Sequence, residues 1–326
     1  MTGTSRETAS SRKKRDVTLI TLAGFALVAL LVAAGEPDNV FLRGAQRPRS
    51  VLNIAHAGAA SLAPQNTLAA GRKALQAGAD LWGVDVRLTR DGDFVLMHDA
   101  TLERTTNVAD VFPDRPSWRV EDFTVSELKE LDAGSWFVAT DPFGRIESGE
   151  VPEDEREAYV GEKIPTLAEA LEFTRRHDWR IDIEVKAASD VPAEEIAVKL
   201  VALIEQTGTQ DRVLVSSFDH RLLAAIERLG SGIAIGVLVI VAPWNPIEYL
   251  EALGADVYAP SPVGFTPDLV ARLGALGFGV HLWTYNDERQ MRRFAVMEGV
   301  SGIYTDFPQR LEPVLVELFG AKAGGG

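Results

Sequence analysis

Short β-rich runs and helical patterns alternate from residue 51 almost to the end of the chain, which is the pattern of a parallel sheet assembled from βα units. Eight strands are expected, at 52–55, 81–86, 181–185, 213–217, 235–239, 257–260, 279–284 and 302–305. Helical patterns fall between most of them, at 66–77, 167–177, 193–206, 220–228, 267–275 and 287–297. Eight parallel strands within roughly 250 residues point to a (β/α)8 TIM barrel rather than an open doubly wound sheet. No Gly-x-Gly-x-x-Gly fingerprint or P-loop opens any helix, which counts against nucleotide binding.

One connection exceeds what a barrel needs. More than ninety residues separate Val86 from Ile181, so a small insertion is expected after the second strand, over about 87–162. It opens with a further strand at 93–97 that ends in His98-Asp99. Its far part, 141–162, carries eight acidic and two basic residues and reads as a solvated loop or lid.

Ahead of the barrel, residues 17–34 form an uncharged apolar run of 18 residues preceded by Arg12, Lys13, Lys14 and Arg15. That length is near the minimum for a bilayer-spanning helix, and the basic flank favours an inside amino terminus. The expected order is therefore a basic cytoplasmic tail (1–16), a transmembrane anchor or cleaved signal (17–34), a linker (35–50), the barrel (51–316) and a flexible tail (317–326). An anchored barrel would lie outside the cytoplasm, or be secreted if the segment is cleaved.

The 47 acidic and 33 basic side chains leave a net charge of −14, a poor balance for neutralising the phosphates of a long nucleic acid. With no cysteine, thiolate nucleophiles, thiolate zinc sites and iron–sulfur clusters are excluded. Chemistry must come from histidines, carboxylates and cations. In a barrel it sits at the carboxyl ends of the strands. There stand His56, Asp85, Glu184, Lys186, Ser216, Ser217, Trp283 and Asp306. His56, Asp85, Glu184 and Lys186 can face a single ligand across one mouth.

The motifs around these positions follow a known order. They are His56-Ala57-Gly58, Pro64-Gln65-Asn66-Thr67, Gly83-Val84-Asp85-Val86, Thr89-Arg90-Asp91-Gly92, Val95-Leu96-Met97-His98-Asp99 and Arg104-Thr105-Thr106-Asn107. Later come Ile183-Glu184-Val185-Lys186, Ser216-Ser217-Phe218, Trp283-Thr284-Tyr285-Asn286 and Gly302-Ile303-Tyr304-Thr305-Asp306-Phe307-Pro308. In this order the chain resembles the glycerophosphodiester phosphodiesterases, over roughly residues 52–311. The resemblance implies hydrolysis of glycerophosphodiesters to glycerol 3-phosphate and an alcohol. It implies His56 and His98 as acid and base, Asp85 and Glu184 as ligands of a divalent cation, Ca2+ or Mg2+, and Lys186, Asn66 and Trp283 as substrate contacts. Imidazoles, which titrate near neutrality, suit the paired proton transfers of phosphodiester cleavage.

The chain also departs from the family pattern. Members usually read His-Arg-Gly, Pro-Glu-Asn and Glu-x-Asp, where this chain has Ala57, Gln65 and Gly83. Positions 83 and 85 share one strand face, so Gly83 removes a carboxylate beside Asp85 and weak cation binding is expected. Arg87, on the same face, is expected in a salt bridge at the rim. Two other functions stand beside hydrolysis of a small phosphodiester: a pseudoenzyme that binds a phosphorylated lipid or polymer, and a lysophospholipase D-like activity on a lysophospholipid.

Overall fold

A computed structural model describes Phe41, residues 51–187 and residues 191–322. Eight strands run parallel and close on themselves: β1 (Leu52–Ala55), β2 (Leu81–Leu88), β4 (Ile181–Val185), β5 (Val213–Ser217), β6 (Ala234–Val239), β7 (Val257–Pro260), β8 (Gly279–Leu282) and β9 (Gly302–Thr305). Pairing of β1 with both β2 and β9 shuts the ring, which makes this the expected TIM barrel. The remaining strand, β3 (Phe94–Leu96), folds back antiparallel on the far end of β2, with Val86 opposite Leu96 and Leu88 opposite Phe94. That hairpin carries β2 two residues beyond its expected end at Val86. At the other extreme β8 stops at Leu282, because the Tyr285 amide, not one nearer the strand, donates to the Tyr304 carbonyl at 2.9 Å.

The helices are α1 (Leu68–Gln76), α2 (Val108–Val111), α3 (Val125–Leu128), α4 (Ser135–Thr140), α5 (Glu153–Tyr159), α6 (Leu167–Arg176), α7 (Ala193–Thr207), α8 (His220–Arg228), α9 (Pro246–Leu253), α10 (Pro267–Ala275), α11 (Glu288–Ala295) and α12 (Pro308–Phe319). Helix α1 begins after Thr67 rather than at Asn66. Asn66 is left-handed (φ 56°), and the Thr67 hydroxyl accepts from the Ala70 amide at 3.2 Å as an N-cap. Helix α9 is absent from the expected helical patterns; Pro246 is its first residue. Helix α12 runs on through Phe319, beyond Val316.

Side chains alternate between two environments. On β2, Trp82, Val84 and Val86 face the helices, where Trp82 is fully buried, stacks on Trp179 and meets Phe173 edge-on. Its indole donates to the Thr174 hydroxyl at 3.0 Å. Gly83 and Asp85 take the opposite, interior face. The insertion builds its own core from Leu102, Val108, Phe123, Leu128 and Leu131 around Val95 and Met97 of the hairpin. The acidic stretch at 141–162 is not a free loop. Tyr159 of α5 is buried against Ala63, Ala69 and Phe137, its hydroxyl donates to the Leu62 carbonyl at 3.0 Å, and Glu155 pairs with Lys73. With Ala70 and Val151 in the same buried cluster, the segment packs onto α1 and the loop before it. Among the described residues no helix is long and apolar enough to cross a membrane, and the run at 17–34 lies outside them.

The barrel floor holds one buried imidazole. His281 Nε2 donates to the Phe41 carbonyl at 3.2 Å, and the ring rests on Gly302, where a Cβ would come within 2.7 Å of it and 2.8 Å of Ile54. Only glycine leaves that space. Burial pushes the imidazole down to about 4, against the pull of the Phe41 carbonyl. The unfolded chain therefore binds a proton that the folded one refuses between that value and the free-imidazole value near 6.5. Folding stability should fall by up to about 3 kcal/mol as pH drops through this window. Denaturant unfolding of His281→Gln, which keeps a donor for Phe41, should show a flatter decline there; an unchanged slope would rule His281 out as its cause.

Candidate active site

Strand register sets the site. β2 and β4 pair Asp85 with Glu184, and β4 and β5 pair Glu184 with Ser216, so three polar side chains stand in one layer at the carboxyl end of the barrel. Above them a cleft of about 260 Å³ is lined by His56, His98, Lys186, Phe218 and Trp283, among others. His56 leaves β1 and His98 leaves β3, so one histidine belongs to the barrel and the other to the hairpin.

Each imidazole is held by a carboxylate. His56 Nδ1 lies 2.8 Å from Asp306 Oδ1, and His98 Nδ1 lies 2.8 Å from Asp99 Oδ1. In both rings Nε2 is left as the nitrogen available for proton transfer. Asp306 is fixed in turn by Asn286, whose Nδ2 donates to Oδ2 at 2.7 Å and whose Oδ1 accepts from the Asp306 amide at 2.9 Å. Asp99 accepts from Arg104 Nε at 2.5 Å, and Arg104 reaches Gln65 Oε1 at 3.3 Å. Among the described residues Arg87 makes no rim salt bridge. Its Nε and Nη2 fork onto the His98 carbonyl at 3.0 and 2.9 Å, because the hairpin brings that carbonyl over the end of β2.

Burial alone would depress the His56 imidazole, but the Asp306 hydrogen bond and the charges of Asp306, Asp85 and Glu184 outweigh it and raise its proton affinity. Burial works against Asp306 as a carboxylate too, yet His56 and Asn286 keep it below the usual range.

Asn66 is buried, and its amide is spent on Asp85: Nδ2 donates to Oδ2 at 2.8 Å and Oδ1 accepts from the Asp85 amide at 2.9 Å. It positions a carboxylate and does not line the cleft. The second Asp85 oxygen, Oδ1, lies 2.7 Å from Lys186 Nζ, which also pairs with Glu184. Burial disfavours the Asp85 carboxylate, but the Lys186 charge overrides this and holds it well below the usual range. Glu184 goes the other way, raised by burial and by the Asp85 charge against Lys186. Trp283 does line the cleft, edge-on to Phe218, with its indole donating to the Ala259 carbonyl at 2.8 Å.

Two carboxylates bridged by an ammonium fit a divalent cation poorly. A hard cation of the calcium type takes six to eight oxygens. Gly83 offers none, and among the described residues no group of three His, Asp or Glu side chains is placed to hold a metal ion.

Asp182 was missed, although the two-residue period puts it on the same interior face as Glu184. It lies one layer down, 3% exposed, and accepts from the Tyr304 hydroxyl at 2.6 Å. Burial raises its carboxyl to about 7 in spite of that bond. Asn286 and Arg104 stood only as parts of motifs; Asn286 shows its positioning role once the loop after β8 meets the end of β9, and Arg104 once the turn after His98 folds back on Asp99.

The model of the glycerophosphoryl diester phosphodiesterase family matches residues 56–310, a span that holds both histidines and every barrel strand but β1. The chain belongs to this family. A glycerophosphodiester phosphodiesterase of Caldanaerobacter subterraneus is 35% identical over 265 residues, 80% of this chain and 96% of that one. A human glycerophosphoinositol inositolphosphodiesterase is 45% identical, but over 47% of this chain and 28% of its own length. Among solved structures, an Oleispira antarctica phosphodiesterase in complex with the product sn-glycerol-3-phosphate superimposes with a TM-score of 0.67 at 30% identity, covering 80% of this chain and 95% of the other.

Proposed function

We propose that the chain hydrolyses glycerophosphodiesters to glycerol 3-phosphate and an alcohol, by acid–base catalysis between His56 and His98. One observation carries the reading: both imidazoles line one cleft, each oriented through Nδ1 by its own carboxylate, with the Lys186 ammonium beneath them. Cleavage needs one group to take the proton of the attacking hydroxyl and another to protonate the leaving alkoxide. His56, whose proton affinity is raised, is the acid, and His98 is the base. Lys186 binds a phosphoryl oxygen as a point charge. The 30% identical phosphodiesterase that holds sn-glycerol-3-phosphate supports the product assignment. The test is to incubate the purified full chain with glycerophosphocholine and related diesters while following glycerol 3-phosphate. Binding of these diesters without release would establish the pseudoenzyme instead.

A second reading has an observation of its own. Phe218, Leu238 and Trp283 give the cleft an apolar wall. Beyond it the loop after β6 exposes Ile240, Val241 and Trp244, the last at 96%, and Ser261 of the next loop donates to the Ile240 carbonyl at 2.7 Å. A chain of a lysophospholipid would lie along this strip, the lysophospholipase D-like case. In the same assay, lysophosphatidylcholine cleaved faster than glycerophosphocholine would favour it.

The localisation we propose is a barrel outside the cytoplasm, anchored through residues 17–34. It rests on the apolar length of that run and the basic cluster before it. Protease added to cells with a permeable outer envelope should digest the barrel; a protected, soluble chain would overturn this.

A further inference from the structure

The cation seat at the base of the cleft is contested by the protein itself. Both oxygens of Asp85 have a partner, Asn66 on Oδ2 at 2.8 Å and Lys186 on Oδ1 at 2.7 Å. Lys186 also takes Glu184 Oε1. The side chains of Asp85 and Lys186 are 5% and 14% exposed, so these pairs are shielded from water. Gly83 adds no ligand. Its Cβ position is open, in ordinary contact at 3.6 Å with both the Ala55 carbonyl and the Tyr304 ring.

We propose that the Lys186 ammonium occupies the seat between Asp85 and Glu184 as a resident cation, and that phosphodiester cleavage at this site needs no bound divalent metal. This deepens the phosphodiesterase reading and rests on it. An ammonium has three N–H donors and no acceptor. Two serve the carboxylates, and the third is left for a phosphoryl oxygen in the cleft that Lys186 lines. A divalent ion entering the seat would have to break both pairs at once and leave the largely buried Lys186 ammonium without its two carboxylate partners. A chain with one carboxylate fewer also has less charge to attract such an ion. Gly83, which offers no ligand, and Lys186, which holds the other two carboxylates, thus act in the same direction.

The test uses the full chain stripped with chelator. Calorimetric titration with Ca2+ and with Mg2+ should show no saturable binding at the site up to millimolar cation. Glycerophosphocholine hydrolysis should be the same within about twofold in chelator and in excess Ca2+. Lys186→Met keeps the aliphatic stem and removes the charge. It should lose most activity and gain Ca2+ binding that disappears again in the Lys186→Met, Asp85→Asn double variant. Saturable binding to the native chain, abolished by Asp85→Asn and required for turnover, would overturn the proposal, and that arm depends on no Lys186 variant folding. If no diester is cleaved under any condition, the phosphodiesterase reading fails, while calorimetry on the native chain and on Lys186→Met still decides who holds the seat.

Discussion

Alanine at His56 or at His98 should lower kcat for glycerophosphodiester hydrolysis by on the order of 10²- to 10⁴-fold and leave the barrel folded. Both side chains are substantially open to the cleft, 36% and 46% exposed, so truncation removes little packing. What is lost is a proton acceptor or donor at the transition state. Because the two transfers belong to one displacement, the double variant should be only slightly slower than the worse single one. Steady-state rates with thermal melts on all three variants check this. Near-native turnover in a folded single variant would remove that histidine from the chemistry.

Asp306→Asn should cost about 10²-fold in kcat and shift the pH profile. The sign follows from the pairing. The Asp306 carboxylate favours the charged imidazole, so His56 keeps its proton to higher pH than a free histidine. An acid held in this way loses activity as pH rises through its raised value. With a neutral amide at 306 the proton leaves sooner, and the alkaline limb should move to lower pH. Asn286 can still donate to the amide oxygen, so the fold has no reason to suffer. A lower rate with an unmoved alkaline limb would mean that Asp306 only shapes the loop and that His56 is not the acid.

Most of the barrel was readable because its strands are buried on both faces, and near-continuous Val, Ile and Leu runs bounded by turn residues mark such strands whatever their neighbours. The β4 run Ile181-Asp182-Ile183-Glu184-Val185 shows the limit. Its period identifies the strand and its charged end residue, but Asp182 becomes meaningful only once Tyr304, 122 positions away, donates to it. The same holds at Asn66. Its place in a motif suggested a substrate contact, whereas its left-handed backbone and its two bonds to Asp85 make it a clamp on a carboxylate. The acidic stretch at 141–162 misled for another reason: composition weighs each carboxylate equally, and Tyr159 and Val151 decide where the segment packs.

The β2–β3 hairpin has an evolutionary consequence. The barrel supplies His56, but His98 is carried by a strand fastened at only a few backbone points, among them the Met97 amide on the Asp85 carbonyl at 2.8 Å and the Leu96 amide on the Pro165 carbonyl at 2.9 Å. Beyond that clasp the near part of the insertion packs around its own core, while its far part, through Phe137, Val151 and Tyr159, is seated on α1. Residues between Asn107 and Leu131, which pack on that separate core, are therefore the part of the insertion that can change in length with the least effect on the ring of strands. Half of the proposed acid–base pair thus sits on the segment least tied to the ring, and changes there would alter one side of the cleft while the side holding Asp85, Glu184 and Lys186 keeps its geometry.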